Sequence, residues 1–554
     1  MTFHQTDLHA VHPAALMYAE ECKAGQLSRR EFLTRTTALG VSAAAYALLG
    51  LDAPAQAQDA MTPTPGGTLR MNMETRAMKD PRTWDWSEHA NFCRAWLDYM
   101  VEYQADGSLR PMLLESWEAN EDATEWTLKV RQGVKWNNGD DFTAEDVVNN
   151  IRRWCDGTVE GNSMAARFDA IRDTTGTMQM REDAAEIVDP ATVRLRLSVP
   201  DITVIVNMAD YPAAVVHSSY NNEDPTTVPI GTGPYLPEMY ETGVRGVLVR
   251  NPDHEWWGTA VYGGPYLDRI EYIDYGTDPA GTLAAAESGE IDATYQTTGD
   301  FIDIFDSLGW VQSEAITAAT LAVRFNQASE PYSNRDVRNA LQMAVDNNVV
   351  LELGYNNRGV VAENHHVCPI HPEYAPGINE PVDPAAAMAM LEAAGEAGTE
   401  FELISLDDQW QAATCDAVAA QCRDAGINVK RTVLPGSTFW NDWTKYPWSA
   451  TEWNMRPLGV QIYNVAYKSG VAWNETAFNN PEFDAGLAEA NSVSDAEARR
   501  EVMARLEQIM LDEGVLIQPY WRSLYRHTIP TVHGAEMHPT FEHHHYKWWV
   551  EQGA

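Results

Sequence analysis

The sequence predicts an α/β protein folded in large lobes. Three observations carry this. The chain has 554 residues, of which 44% are hydrophobic and 10% aromatic, enough to build an extensive core. Short period-two runs alternate along it with capped helical runs. One stretch reads as a β-α-β unit, with residues 401–406 as strand, 409–424 as helix and 427–434 as strand, the arrangement from which parallel sheets are built.

The elements follow in chain order. Trp126-Thr127-Leu128-Lys129-Val130 alternates at period two and reads as a strand. Thr143 caps a helix running to about Trp154, with Asp146 as the reciprocal acid three residues on. Gly231-Thr232-Gly233-Pro234-Tyr235 reads as a turn: it lacks the Lys and Ser/Thr of a nucleotide loop, and Pro234 removes a donor. Asn334 or Ser333 caps a further helix, with Val337, Leu341 and Val345 on one face. After the β-α-β unit, a last long helix covers residues 495–512. No internal repeat and no low-complexity linker interrupts the chain.

Charge and the N-terminus narrow the function. Eighty acids against 39 bases give a formal charge of −41, which repels nucleic acid and anionic membrane surfaces. Ser28-Arg29-Arg30-Glu31-Phe32-Leu33 matches the twin-arginine export pattern; an apolar run at 37–51 and an A-x-A cleavage site at Ala55-Gln56-Ala57 follow. Residues 1–57 are therefore expected to be a signal peptide, with the mature chain beginning near Gln58 and acting in the periplasm. Cleavage leaves Cys93, Cys155, Cys368, Cys415 and Cys422, an odd count with no zinc-site spacing. Cys415 and Cys422 lie two helical turns apart, about 10 Å, too far for a disulfide. All five read as buried packing thiols.

Several segments carry a resemblance. They are residues 109–117 (LRPMLLESW), 126–136, Asn138-Gly139-Asp140, 142–147 (FTAEDV), 231–235 (GTGPY), 249–257 (VRNPDHEWW), 288–292 (SGEID) and 324–346 (RFNQASEPYSNRDVRNALQMAVD). Together and in this order they resemble the extracellular solute-binding proteins of family 5, the dipeptide, oligopeptide and nickel-chelate binders of ABC importers. The resemblance implies a two-lobed periplasmic-binding-protein-like fold of type II, in its large three-domain variant, with a ligand cleft between the lobes. Mapped here, lobe I takes residues 58–102, 225–318 and 525–554, an inserted domain takes 103–224, and lobe II takes 319–524. The hinge would fall near 319–326 and 517–524. The expected partners are a small-molecule ligand and the membrane permease, without nucleic acid, and the chain is expected to be a monomer. No cofactor is expected.

Phe439, Trp440, Trp443, Tyr446, Trp448 and Trp453 crowd one stretch, as core packing or as flat walls for an organic ligand. The resemblance puts Trp440 and Trp453 at cleft positions. It also implies that peptide-binding relatives place an aspartate about three residues after the second Trp, to hold the ligand's ammonium. Here Arg456 stands there, a fork of donors suited to carboxylate or phosphate, or else a structural ion-pair partner. Asp98, at a cleft position by the resemblance, is the candidate acid for an ammonium. Arg324 is a second candidate carboxylate clamp, or a strand arginine paired with a neighbouring acid, and Gln296 and Thr297 are candidate cleft-lining residues. His365, His366 and His371 are candidate ligands of a metal chelate, since imidazole binds nickel, copper and zinc. His543, His544 and His545 are expected on a strand, where alternate residues point apart and cannot all converge. The function this implies is capture of a peptide-like, opine-like or other anionic or zwitterionic solute, with no catalysis. The alternatives are a metal-chelate binder of the same fold and a secreted hydrolase, for which no G-x-S-x-G or H-E-x-x-H motif speaks.

Overall fold

The computed structural model describes residues 62–120, 123–379, 381–493 and 495–552. The export signal read in residues 1–57 lies outside the described residues. The chain divides into two compact units. The first runs to Ala315 and resumes at Leu524; the second is Ile316–Ser523. Two strands, Val311–Phe325 and Tyr520–Thr528, carry the chain from one unit to the other. No helix among the described residues is long and apolar enough to cross a membrane.

The first unit holds two four-stranded sheets. In one, Thr68–Asn72 pairs in parallel with Arg269–Ile273, and Arg245–Arg250 and Tyr235–Glu241 extend it antiparallel. Alternation sends Leu69, Met71, Ile270 and Tyr272 into the core. The other is an antiparallel sheet in the order Leu114–Ala119, Glu125–Val130, Thr192–Arg196, Ala185–Asp189. The helix expected after Thr143 is Ala144–Trp154, and its capping box is closed: the Thr143 amide donates to Asp146 Oδ2 at 2.8 Å. The glycines of the 231–235 turn permit a close approach. A side chain on Gly231 would stand 1.8 Å from the Trp96 carbonyl, and the Gly233 amide donates to that same carbonyl at 3.0 Å.

The second unit is built on the expected β-α-β unit. Phe401–Leu406 and Val429–Leu434 pair in parallel across the helix Gln409–Asp424. The second strand opens two residues later than the spacing suggested. Gly426 ends the helix in the left-handed region, and the Ile427 amide turns back to the Cys422 carbonyl at 2.9 Å. Trp448–Trp453 lies beside Phe401–Leu406 in parallel and beside Val311–Phe325 antiparallel. One face of these strands packs Leu321, Val323, Phe325, Leu403, Trp448 and Ala450 against Val337, Leu341, Cys415, Val418 and Cys422 of the covering helices. The five cysteines are buried and unpaired, as packing thiols should be.

The helix Ala496–Asp512, capped by Asp495, buries Val502, Met503, Leu506 and Met510, and with them Glu507. Burial pushes the Glu507 carboxyl up to about 9, so it is protonated in the fold at neutral pH. Between the ordinary value of 4.5 and about 9 the folded state holds a proton that the unfolded chain releases, and stability must fall as pH rises through that window. Glu507→Gln, which mimics the protonated acid, is therefore expected to lose less thermal stability than the wild type between pH 6 and 9. Parallel melting curves for the two proteins across that range would contradict this.

Candidate functional site

The sheet face of the second unit opposite the apolar core carries polar groups, and the pleat dictates which. Arg324 is paired with Ser449 and Thr320 with Trp453, so Arg324, Ser449, Thr451 and Trp453 share one side while Phe325, Trp448 and Ala450 take the other. On that polar side lies Glu475, almost wholly buried. Its Oε1 accepts from the Trp453 indole N–H at 2.6 Å; its Oε2 accepts from Arg324 Nε at 3.0 Å and from Thr451 Oγ1 at 2.6 Å. The held indole of Trp453 is met edge-on by Trp443, Trp473 and His366, with ring centroids 6.5, 6.1 and 6.0 Å away. The Arg456 guanidinium stands 5.8 Å over the Trp473 ring, within cation–π range. Its Nη1 donates to the carbonyls of Asn454 and Met455 at 3.1 and 3.2 Å. Aromatic walls and one arginine thus gather around Trp453.

Of the residues singled out in the sequence, Trp453 and Arg456 are brought together. Trp440 is not part of that cluster: it caps the short helix Gly436–Phe439, half-buried and edge-on to Phe439 at 4.9 Å, in a satellite apolar cluster with Ile404 and Leu406. Arg324 has the geometry of a strand arginine paired with an acid. Its Nη2 donates to the Trp443 carbonyl at 2.5 Å and its Nη1 to that of Tyr446, so every guanidinium nitrogen serves the fold. Asp98 is the hub where two motifs of the first unit meet. Its Oδ2 accepts from Thr232 of the 231–235 turn at 2.8 Å and from the indoles of Trp256 and Trp257 at 3.2 and 2.8 Å. Burial raises its proton affinity and these three donors oppose the rise. Thr297 is likewise engaged. Its amide donates to the Tyr525 carbonyl at 2.7 Å, and its hydroxyl lies 2.9 Å from both Thr294 Oγ1 and His527 Nδ1; Gln296 beside it is half-buried. Glu475 was missed by sequence reasoning, because nothing local distinguishes a glutamate in a turn-rich stretch 22 positions beyond its Trp.

The histidines correct two expectations. Among the described residues His365, His366 and His371 do not form a group of ligand atoms within 4.8 Å of one another. His371 Nδ1 accepts from the Cys368 amide at 3.1 Å while its Nε2 faces the Arg456 carbonyl at 3.0 Å, which leaves no lone pair for a metal. His366 Nδ1 is taken by the Tyr467 hydroxyl at 2.6 Å, and His365 is buried with its proton affinity pushed down to about 3. His543, His544 and His545 are not on a strand, for a turn of 3-10 helix begins at His545. His544 there comes together with His538 and Glu542, the one group of metal-type ligands within 4.8 Å of one another among the described residues. Burial pushes the Glu542 carboxyl up to about 8, and both His544 and Glu542 are already engaged by neighbouring cations. Lys547 Nζ faces His544 Nδ1 at 3.0 Å, which places the ring proton on Nε2, 3.1 Å from Glu542 Oε2, and Arg94 lies 3.3 Å from the same oxygen. Two fixed cations against these carboxylates disfavour a third.

Comparison with known proteins identifies the family and the fold. The family model for bacterial extracellular solute-binding proteins, family 5, matches residues 108–474. A probable peptide ABC transporter periplasmic-binding protein of Sinorhizobium fredii is 25% identical over 428 residues, 73% of this chain and 76% of that protein. The nickel-binding periplasmic protein of Escherichia coli is 27% identical over 316 residues, 53% of this chain and 55% of that one. Among solved structures, AgaA of A. tumefaciens R10 in complex with agropinic acid superposes with a TM-score of 0.77 at 22% identity, covering 88% of this chain and 99% of AgaA, and shares its two-lobed fold. The chain belongs to the bacterial extracellular solute-binding proteins of family 5.

Proposed function

We propose that this chain is the periplasmic solute-binding component of an ABC importer and that its solute is a small organic anion or zwitterion, peptide-like or opine-like, delivered to the membrane permease without chemical change. A monomeric mature chain exported by the twin-arginine route belongs to the same reading. The observation that carries the solute class is Arg456 beside Trp453 and Trp473, a guanidinium among aromatic walls where the family resemblance implies an aspartate for a peptide's ammonium. A fixed cation there repels an ammonium and attracts a carboxylate. The likeness to a structure holding agropinic acid supports the opine-like side of the range, and the Sinorhizobium fredii relative supports the peptide-like side.

Calorimetric titration with agropinic acid and with a panel of dipeptides tests this. A bound solute at a hundredfold excess over Kd stabilises the fold by about 2.7 kcal/mol, so a thermal-shift screen of opines, peptides and amino-acid conjugates that finds no binder counts against the reading. Arg456→Ala is expected to weaken binding of an anionic solute by roughly 30-fold or more while the solute-free protein melts nearly as before. Unchanged affinity removes Arg456 from the site. Arg324→Ala should give the reverse pattern. Loss of the buried cation leaves Glu475 uncompensated, at about 3–5 kcal/mol of stability. A normal melting temperature in this variant would contradict the Glu475 network.

A further inference from the structure

Behind Trp453, the second unit gathers an excess of hydrogen-bond donors. His366, Gln518 and Trp521 are each at least 98% buried. His366 Nε2, Gln518 Nε2 and Trp521 Nε1 have no hydrogen-bond partner among the described residues. His366 adjoins each of the other two. The His366 amide donates to Gln518 Oε1 at 2.9 Å, which fixes the carboxamide with its NH2 as the remaining group. The His366 and Trp521 rings lie 5.9 Å apart, and His366 meets the Trp453 ring at 6.0 Å. Burial keeps the imidazole neutral, and the Tyr467 hydroxyl lies 2.6 Å from Nδ1; in the tautomer in which that hydroxyl donates, the single ring proton sits on Nε2. Gln518 Nε2 and Trp521 Nε1 are donors by their chemistry and His366 Nε2 is a third in that tautomer, and buried donors left without an acceptor are costly. The backbone is held to the same end: His366 and Asn364 both adopt left-handed conformations, at φ +62° and +65°, which side-chain-bearing residues rarely keep without compensation.

We propose that His366, Gln518 and Trp521 form a subsite for a carboxylate of the solute, next to Trp453. A carboxylate is acceptor-only and offers two oxygens with about four lone-pair sites, the complement of neighbouring uncharged donors. The Arg456 charge that disfavours a proton on His366 favours an anion at the same place. The proposal rests on the reading of the solute as an anion and adds the residues that receive it.

Three measurements test it. Gln518→Glu keeps the acceptor for the His366 amide and replaces the donor by an anion; Trp521→Phe removes one N–H and keeps a ring. Each is expected to weaken agropinic acid binding by roughly tenfold or more, the weight of a hydrogen bond to a charged group. If both keep the wild-type Kd while Arg456→Ala loses affinity, the subsite is wrong and the anionic reading stands. Because Trp521→Phe also removes buried ring volume, its solute-free melting temperature is recorded beside its Kd, and an unchanged Kd at any melting temperature counts against the indole N–H as a ligand donor. Should the wild type bind neither agropinic acid nor dipeptides, the anionic-solute reading loses its support, and acetate decides the subsite separately. Excess acetate, against chloride at matched ionic strength, is expected to raise the melting temperature of the wild type and not of Gln518→Glu; the absence of an acetate-specific rise overturns the proposal.

Discussion

The carboxylate of Glu475 is the contact on which the polar side of the second unit depends. It receives an indole N–H, a guanidinium and a hydroxyl from three residues of two neighbouring strands. Each partner reaches it from the same side of the sheet because strand pairing and pleat put Arg324, Thr451 and Trp453 there together. Such a buried pair adds little net stability compared with an apolar replacement, since desolvation offsets most of the attraction. Its effect is to fix geometry. With its N–H committed to Glu475, the Trp453 ring has one orientation, and Trp443, Trp473 and His366 pack against its edges accordingly. Arg456 then lies over Trp473. The arrangement is an aromatic wall beside the Arg456 guanidinium, already ordered by the fold.

The first unit uses the same device for another purpose. Asp98 collects Thr232, Trp256 and Trp257, and so ties the 231–235 turn and the 249–257 segment to the chain near residue 98. Close to it, Glu102 accepts from the hydroxyl of Tyr546 at 2.7 Å, and Glu542 lies between Arg94 and His544, which anchors the C-terminal segment. These acids bind the fold to itself. Two sequence motifs that resemble the family's are explained by this packing, as the glycines of the turn allow the close approach and the paired tryptophans supply the donors.

Much of the fold was legible in the sequence because its signals are local. A capping residue and its partner sit three positions apart, as at Thr143 and Asp146, and a β-α-β unit declares itself by a change of period within 34 residues. The site was legible only in part. Trp453 and Arg456 stood out by type and by the resemblance, but Arg324, Asp98 and Thr297 have roles set by partners far along the chain. Glu475 is 151 positions from Arg324, and Trp257 is 159 from Asp98. A single sequence does not disclose whether a charged residue faces a solute or a buried countercharge 150 residues away. The histidines show the same limit. Adjacent imidazoles suggest a chelating loop, while burial makes them parts of the core and of the wall behind Trp453.

In the proposed function, an acidic solute lies at a cationic, aromatic wall where the resemblance implies an acid for an ammonium. The most direct measurement is mass spectrometry of whatever remains bound to the mature chain after gentle purification under native conditions. The account predicts a one-to-one small organic molecule that carries at least one carboxylate and is released when Arg456 is replaced. A retained solute with no acidic group, bound equally by the Arg456→Ala protein, would contradict it.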